Sequence, residues 1–233
     1  MKTVLISGGN KGIGLTITNT LKDKGYTIYC LGRDFKDFTI KQKNVKTIIF
    51  DLERVDEISK LVLSLGNIDI LINNAGYMYA QNIDQYTIEE QEKIFRVNLE
   101  APIELIKAVL PSMQKQQFGR IVNIASLAGC IGHPDVWYGI TKAGLINATI
   151  SLSHIIKGNG ITINAILPGP IATKMVKNFS EERKNFLRKY VNITGQYLPP
   201  QSIVECVEWF IDDNHIYLNG NCLEISDGVT WNV

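Results

Sequence analysis

The sequence predicts an α/β fold: a doubly wound parallel sheet flanked by helices on both faces, built as one domain over residues 1–233. Three observations carry this. Apolar runs of strand length alternate with helical stretches along the chain, and that alternation implies a parallel sheet covered by helices. The strand candidates are mostly continuous apolar runs, as strands buried on both faces are. The first of them leads straight into a glycine-rich turn and a helix. With 233 residues, 45% of them hydrophobic, the chain is suited to one large domain with a real core.

The elements follow in order. Residues 2–6, Lys-Thr-Val-Leu-Ile, read as a short buried strand. Ser7-Gly8-Gly9-Asn10-Lys11-Gly12-Ile13-Gly14 then opens a helix that runs to about Lys24. Further strands are expected at Thr27–Leu31, Val45–Phe50, Ile68–Ile72, Arg120–Ala125, Ile161–Leu167 and Cys222–Ile225. Helices are expected between them, notably Ile88–Gln116, Val136–Ile156 and Gln201–Ile211. Residues 33–45 lack a helical pattern where a crossover helix belongs, so this connection is expected to be a short helix or mostly loop. No repeat, linker or low-complexity tract divides the chain.

Composition narrows the function classes. A formal net charge of +1 gives no global reason to expect nucleic acid or a membrane as partner. Val4-Leu5-Ile6 is too short for a signal peptide, and no apolar run reaches transmembrane length. Cys30, Cys130, Cys206 and Cys222 are dispersed without metal-ligand spacing and read as reduced thiols of a cytoplasmic protein. His133, His154 and His215 are scattered as well, so no metal is expected.

Two motifs carry chemistry. The turn between the first strand and helix has Gly-x3-Gly-x-Gly spacing. Glycines let backbone approach a pyrophosphate closely, and a helix N-terminus offers free N–H donors and positive partial charge. The second motif is Tyr138 with Lys142, four residues apart and so on one helix face, with Ser126 twelve residues upstream. An ammonium beside a phenol favours the phenolate and lowers its pKa, which tunes the group for proton transfer. Alone, the pair is compatible with chance: a half-buried Tyr beside a solvated Lys. Its context decides between the two.

That context is a resemblance. Ser7-Gly8-Gly9-Asn10-Lys11-Gly12-Ile13-Gly14, Asp51-Leu52, Asn73-Asn74-Ala75-Gly76, Asn98, Ser126, Tyr138-x3-Lys142 and Pro168-Gly169-Pro170-Ile171-Ala172-Thr173 follow one another along essentially the whole chain. In this order and spacing the sequence resembles the compact branch of the short-chain dehydrogenase/reductase family, whose fold is Rossmann-type. Gly119–Ser126 and Pro170–Met175 resemble the corresponding segments of 3-oxoacyl-acyl-carrier-protein reductases. Three departures stand out. Ser7 replaces the usual Thr but keeps the hydroxyl. The Ser126-to-Tyr138 interval is one residue shorter than in the acyl reductases, which shortens the loop expected to line the substrate pocket. Asp227-Gly228 matches the usual near-terminal Gly-Gly region only approximately.

The resemblance implies hydride transfer between a nicotinamide and a carbonyl or alcohol. It makes Tyr138 the proton donor and Lys142 the residue that holds the ribose hydroxyls and favours the phenolate. Ser126 becomes the donor to the substrate oxygen, and Asn98 the support of Lys142 through a water. Gly8, Asn10, Lys11, Gly12, Ile13 and Gly14 would hold the pyrophosphate end of the cofactor. Asp51, Leu52, Asn74, Ala75 and Gly76 would flank the adenosine. Pro168, Gly169, Ile171 and Thr173 would line the nicotinamide side, with Tyr138 and Lys142 touching the ribose. Asn98 has a competing assignment, a buried helix polar group satisfied locally. His133 lies near the expected pocket and reads as a surface loop residue.

NADP(H) is the expected cofactor. The position at the end of the second strand where an NAD enzyme places an acid falls on Gly32, followed by Arg33. Arg33 and Lys11 together suit a 2′-phosphate. The alternative is that Arg33 pairs with Asp34 or points to solvent, and Asp34 takes the ribose. Residues 174–190 mix Lys174, Lys177, Arg183, Lys184, Arg188 and Lys189 with Phe179, Phe186, Leu187 and Tyr190. They suggest either a basic lid for an anionic substrate or carrier, or an amphipathic helix with a solvated face. The substrate expected is a small-molecule or acyl-carrier-bound carbonyl compound. The resemblance implies a homotetramer or homodimer with Ile88–Gln116 and Val136–Ile156 at one interface. Two other readings stay open: a ketone or sugar reductase with the same site, and a dinucleotide-binding regulator without chemistry.

Overall fold

The computed structural model describes residues 1–233 apart from 157–159, 174–180, 182–184, 186–193, 195 and 228–233. Its centre is a parallel sheet of seven strands in the order β3-β2-β1-β4-β5-β6-β7. These are β1 Thr3–Ser7, β2 Thr27–Gly32, β3 Val45–Ile49, β4 Ile70–Asn73, β5 Gly119–Ile124, β6 Ile161–Pro168 and β7 Cys222–Ile225. The chain steps outward from β1 to β3, returns to pair β4 with β1, and then steps the other way to β7. This is the doubly wound Rossmann-type arrangement. The connections leaving β1 and β4 diverge to opposite faces, which opens a crevice at the C-terminal ends of these strands.

Side-chain alternation builds the core on both faces. Val4 and Ile6 of β1 point to one side, with Ile28, Ile72 and Val122. There they meet Ile17 and Leu21 of α1 (Gly12–Asp23) and Ile203, Val207 and Phe210 of α7 (Gln201–Ile211). Leu5, Leu71 and Ile121 point the other way. They are covered by Ile58 and Val62 of α2 (Ile58–Leu65) and by Leu105, Val109 and Met113 of α4 (Ala101–Gln116). A smaller cluster joins Leu145 of α6 (Val136–Ile155, which follows the single turn α5, Ala128–Ile131) to Ala125, Ala165 and Leu167. Each fully buried side chain of this size contributes about 1.5–3 kcal/mol, so the sheet is held from both sides.

The structure refines the expected elements in three places. Residues 33–44 form no helix; Phe35 and Phe38 pack edge-to-face with ring centroids 5.3 Å apart and cover the core where a crossover helix would sit. The short α2 was not anticipated, because two turns give too little periodicity to recognise. The expected helix Ile88–Gln116 is α3 (Ile88–Phe95), a π turn over Arg96–Glu100, and then α4. Pro102 has no N–H to bond the Asn98 carbonyl one turn back, and the Ala101 N–H reaches to the Arg96 carbonyl instead. Among the described residues, no helix is long and apolar enough to cross a membrane, and no cluster of His, Cys, Asp and Glu could hold a metal ion.

Candidate active site

A cleft of about 430 Å³ lies at the C-terminal ends of the strands, where the crevice opens. One wall is the turn after β1. Gly12 there has φ +53, a left-handed conformation that glycine adopts without strain, and faces Thr173 across the cleft. Gly14 does not line the cleft. Its α hydrogens press against the turn, since a Cβ would sit 2.2 Å from the Gly8 carbonyl oxygen and 2.4 Å from Asn74 Nδ2. Helix α1 begins at Gly12 with no side-chain cap, so its first N–H groups are left for a ligand.

Ser7 explains why a hydroxyl is needed at the end of β1. Its Oγ accepts from the N–H groups of Asn74 (3.0 Å) and Ala75 (3.1 Å). The Asn74 amide in turn donates to the carbonyls of Ser7 (3.0 Å) and Gly8 (3.1 Å). The strand ends on either side of the crevice are thereby tied together, and Asn74, Ala75 and Gly76 form the floor beside Asp51 and Leu52.

At the exit of β2 the charges are arranged differently from the expectation. Asn10 donates to the Asp34 carbonyl at 2.6 Å, and Lys11 Nζ pairs with the Asp34 carboxylate at 3.0 Å. The Lys11 ammonium holds the Asp34 carboxyl below its ordinary range. Arg33 pairs with neither; its guanidinium stands 5.8 Å from the centroid of the Tyr77 ring. Lys11, Arg33 and Asp34 all line the cleft.

The other wall is built by α6 and the end of β5. Asp135 caps α6 by accepting from the Tyr138 N–H at 3.0 Å, and the helix turn then sets Tyr138 and Lys142 on one face. Ser126 follows β5; its Oγ accepts from the Ala128 N–H at 3.2 Å and lies near enough to the Tyr138 phenol to pull on its titration. Lys142 is 3% exposed, and its Nζ donates to the Ile124 carbonyl at 2.9 Å. Burial pushes the Lys142 ammonium down to about 8. The Tyr138 phenol is raised, first by burial and also by the Asp135 charge, against a downward pull from the Ser126 hydroxyl. This corrects the expectation that the ammonium lowers Tyr138. Nζ lies 5.7 Å from the phenol ring centroid, and desolvation outweighs any attraction from that position.

Asn98 is fully buried behind the cleft rather than in its wall. Its Oδ1 accepts from the Tyr77 N–H (2.7 Å), and its Nδ2 donates to the Tyr77 carbonyl (2.8 Å) and to Thr141 Oγ1 (3.1 Å). A Cβ on Gly76 would lie 3.5 Å from Lys142 Nζ and 3.9 Å from Asn98 Oδ1, so both groups converge beneath Gly76.

All other residues singled out for the cofactor line the same cleft: Gly8, Asn10, Ile13, Asp51, Leu52, Pro168, Gly169, Ile171 and Thr173. Several cleft residues were not singled out as site residues, His133, Tyr77, Met78 and Ile131 among them. His133 packs against Tyr138 with ring centroids 5.3 Å apart, and Tyr77, Met78 and Ile131 line the same cleft. The available signal was their place, just after Gly76 or between Ser126 and Tyr138. The basic segment 174–190 lies outside the described residues except for Glu181 and Asn185.

The donor set fits a nicotinamide dinucleotide. Uncapped helix N–H groups and an open turn face cations at one end, and a hydroxyl, a phenol and an ammonium converge at the other. The comparisons agree. The family model for short chain dehydrogenase matches residues 2–184. The 3-oxoacyl-[acyl-carrier-protein] reductase FabG of Rickettsia prowazekii is 30% identical, covering 98% of this chain and 96% of the relative. That of Haemophilus influenzae is 31% identical, covering 98% of each. Among solved structures, a 4-hydroxyisoleucine dehydrogenase complexed with NADH superposes with a TM-score of 0.91 at 28% identity, covering 98% of each chain. ElxO with NADP bound superposes with a TM-score of 0.87 at 25% identity, covering 97% of this chain and 98% of that one.

Proposed function

Because the chain belongs to the short-chain dehydrogenase family and is an oxidoreductase, we propose that it is an NADPH-dependent reductase, a single domain that converts a carbonyl to an alcohol with Tyr138 as proton donor. The observation that carries this reading is the meeting of Ser126, Tyr138 and Lys142 with the glycine turn in one cleft. The bound nicotinamide supplies the hydride. The Ser126 hydroxyl donates to the carbonyl oxygen as negative charge builds there. Tyr138 Oη gives that oxygen its proton and is reprotonated from solvent. Burial keeps the phenol in its acid form, so that a proton is in place to be given as charge builds on the carbonyl oxygen. Lys142 holds the ribose, and Asn98 fixes the floor beneath it.

The substrate proposed is a 3-oxoacyl thioester, free or on an acyl carrier protein. Support comes from the FabG relatives and from the apolar side chains of Met78, Val97, Leu127 and Ile131 in the cleft. A cytoplasmic place is supported by the reduced cysteines and by the same relatives. Assembly into a homotetramer or homodimer is supported by exposed Ile88, Ile140, Ile150 and Ile155 on α3 and α6. A second reading, an NADH-dependent dehydrogenase of a small hydroxy compound, is favoured by Asp34, a carboxylate at the exit of β2 beside the cleft.

The test is a screen of oxo-substrates, including acetoacetyl thioesters, followed by NADPH absorbance. Tyr138→Phe should lower turnover by roughly 10²–10⁴-fold while leaving NADPH affinity unchanged. Turnover that survives the substitution would sink the role of Tyr138. Tight NADPH binding without turnover of any oxo-substrate by the wild-type enzyme would favour a regulator.

A further inference from the structure

Asp135 is 1% exposed, and no role for it followed from the sequence. Its two carboxylate oxygens are used in different directions. Oδ1 accepts from the Tyr138 N–H at 3.0 Å and caps α6. Oδ2 accepts from the Ala80 N–H at 2.9 Å, across fifty-five residues of sequence. The Asp135 N–H donates to His133 Nδ1 at 3.1 Å, which fixes the ring that packs on Tyr138.

Ala80 has φ +59, a left-handed conformation that a residue with a Cβ holds only when its surroundings impose it. It ends the segment Tyr77–Ala80, whose Tyr77 and Met78 line the cleft. Asn98 grips the other end of this segment through the Tyr77 backbone. Edge-to-face contacts of Tyr79 with Tyr77 (4.7 Å) and with Tyr86 (5.5 Å) stiffen it between. The carboxylate is the link from this wall to the helix that carries Tyr138.

We propose that Asp135 is a positioning residue: its buried carboxylate clamps the Tyr77–Ala80 wall of the cleft to the N-terminus of α6 and so sets the distance between substrate and Tyr138. The proposal rests on the reading of Tyr138 as proton donor. The nearby charge also raises Tyr138 and Tyr86, in each case after burial as the larger cause. Asp135 therefore helps hold the phenol in its acid form as well as in its place.

Asp135→Asn separates the clamp from the cap. Asn caps helices well, but it offers one acceptor oxygen and sets an amide N–H against the second donor. Hydrogen exchange at the Ala80 amide should be slow in the wild type and faster by about tenfold or more in Asp135→Asn, since the amide loses the carboxylate that accepts its hydrogen. The KM for an oxo-substrate should rise about tenfold and kcat should fall as well, because the carbonyl no longer meets Tyr138 at its set distance, with NADPH affinity unchanged. Adding Ala80→Gly relieves the left-handed strain without restoring the carboxylate. It should return most of the KM, which recovery of a helix cap would not do. A KM rise that Ala80→Gly leaves unmoved would overturn the clamp. An Ala80 amide that exchanges in the wild type like unstructured chain would overturn it too, even if Asp135→Asn does not fold. Exchange is read without turnover, so failure of the clamp and failure of the reductase reading give different results.

Discussion

Lys142 shows how one residue can be expensive to the fold and useful in the cleft. It is almost wholly buried, with one backbone carbonyl as acceptor, and burial holds its ammonium at about 8 instead of its ordinary 10.5. The unfolded chain therefore binds this proton more tightly than the folded one. Between pH 8 and 10.5 this group adds stability as pH rises, and below pH 8 its penalty is complete. Measured against Lys142→Met, the wild type should gain roughly 3 kcal/mol across that window. Denaturant melts of both proteins at several pH values check this. A constant difference from pH 8 upward would mean that the ammonium is not desolvated as the structure has it. Ser126, Tyr138 and Lys142 were picked out by their spacing together with the family resemblance, since the spacing alone is compatible with chance. The direction of the Tyr138 shift was not legible, because burial of a side chain depends on elements remote in sequence.

At the scale of elements, α1 must lie close against the turn that precedes it. Gly14 permits this, and no other residue would: a Cβ there meets the Gly8 carbonyl and the Asn74 amide together. Gly14→Ala should destabilise the protein by about 1–3 kcal/mol. Dinucleotide affinity should fall with it, as the turn shifts away from the α1 N-terminus. Thermal melts and a fluorescence titration with NADPH report the two effects, and a variant normal in both would mean that Gly14 is not needed to seat α1 against the turn. The π turn before α4 works in the same way. It places Asn98 behind Tyr77 instead of along a regular helix face, and Pro102 is the residue in the sequence that betrays it. Asn98 itself was picked out by family resemblance. Its grip on the Tyr77 backbone depends on a fold that brings the π turn up to Gly76.

At the scale of the whole molecule, the cleft exists because β1 and β4 are neighbours although β2, β3 and three connections separate them in sequence. A dinucleotide lying across it would touch the ends of β1, β2, β4, β5 and β6, so its binding should stabilise the fold as a unit. At a hundred times its dissociation constant NADPH should add about 2.7 kcal/mol and raise Tm by roughly 5–10 °C. The same concentration of NADH should raise it less, because only NADPH carries the 2′-phosphate to draw Arg33 from Tyr77 and Lys11 from Asp34. Arg33→Ala should erase the difference in Tm and in kcat/KM. Equal shifts with both cofactors in the wild type, or preference for NADH, would favour Asp34 as the ribose ligand.

The sequence by itself determined the α/β class, most strand positions and the glycine turn, and its resemblance to a family singled out Ser126, Tyr138 and Lys142. These are local in origin: they depend on apolar runs, on residue type and on spacing along one turn or one helix. Only the tertiary structure decided that Lys11 pairs with Asp34, that Arg33 faces Tyr77, that His133 packs against Tyr138, and that Asp135 joins Ala80 to α6. Each of these joins residues whose neighbours are chosen by strand order, loop course and burial. Those are properties of the packed sheet and its helices, and no window of sequence contains them.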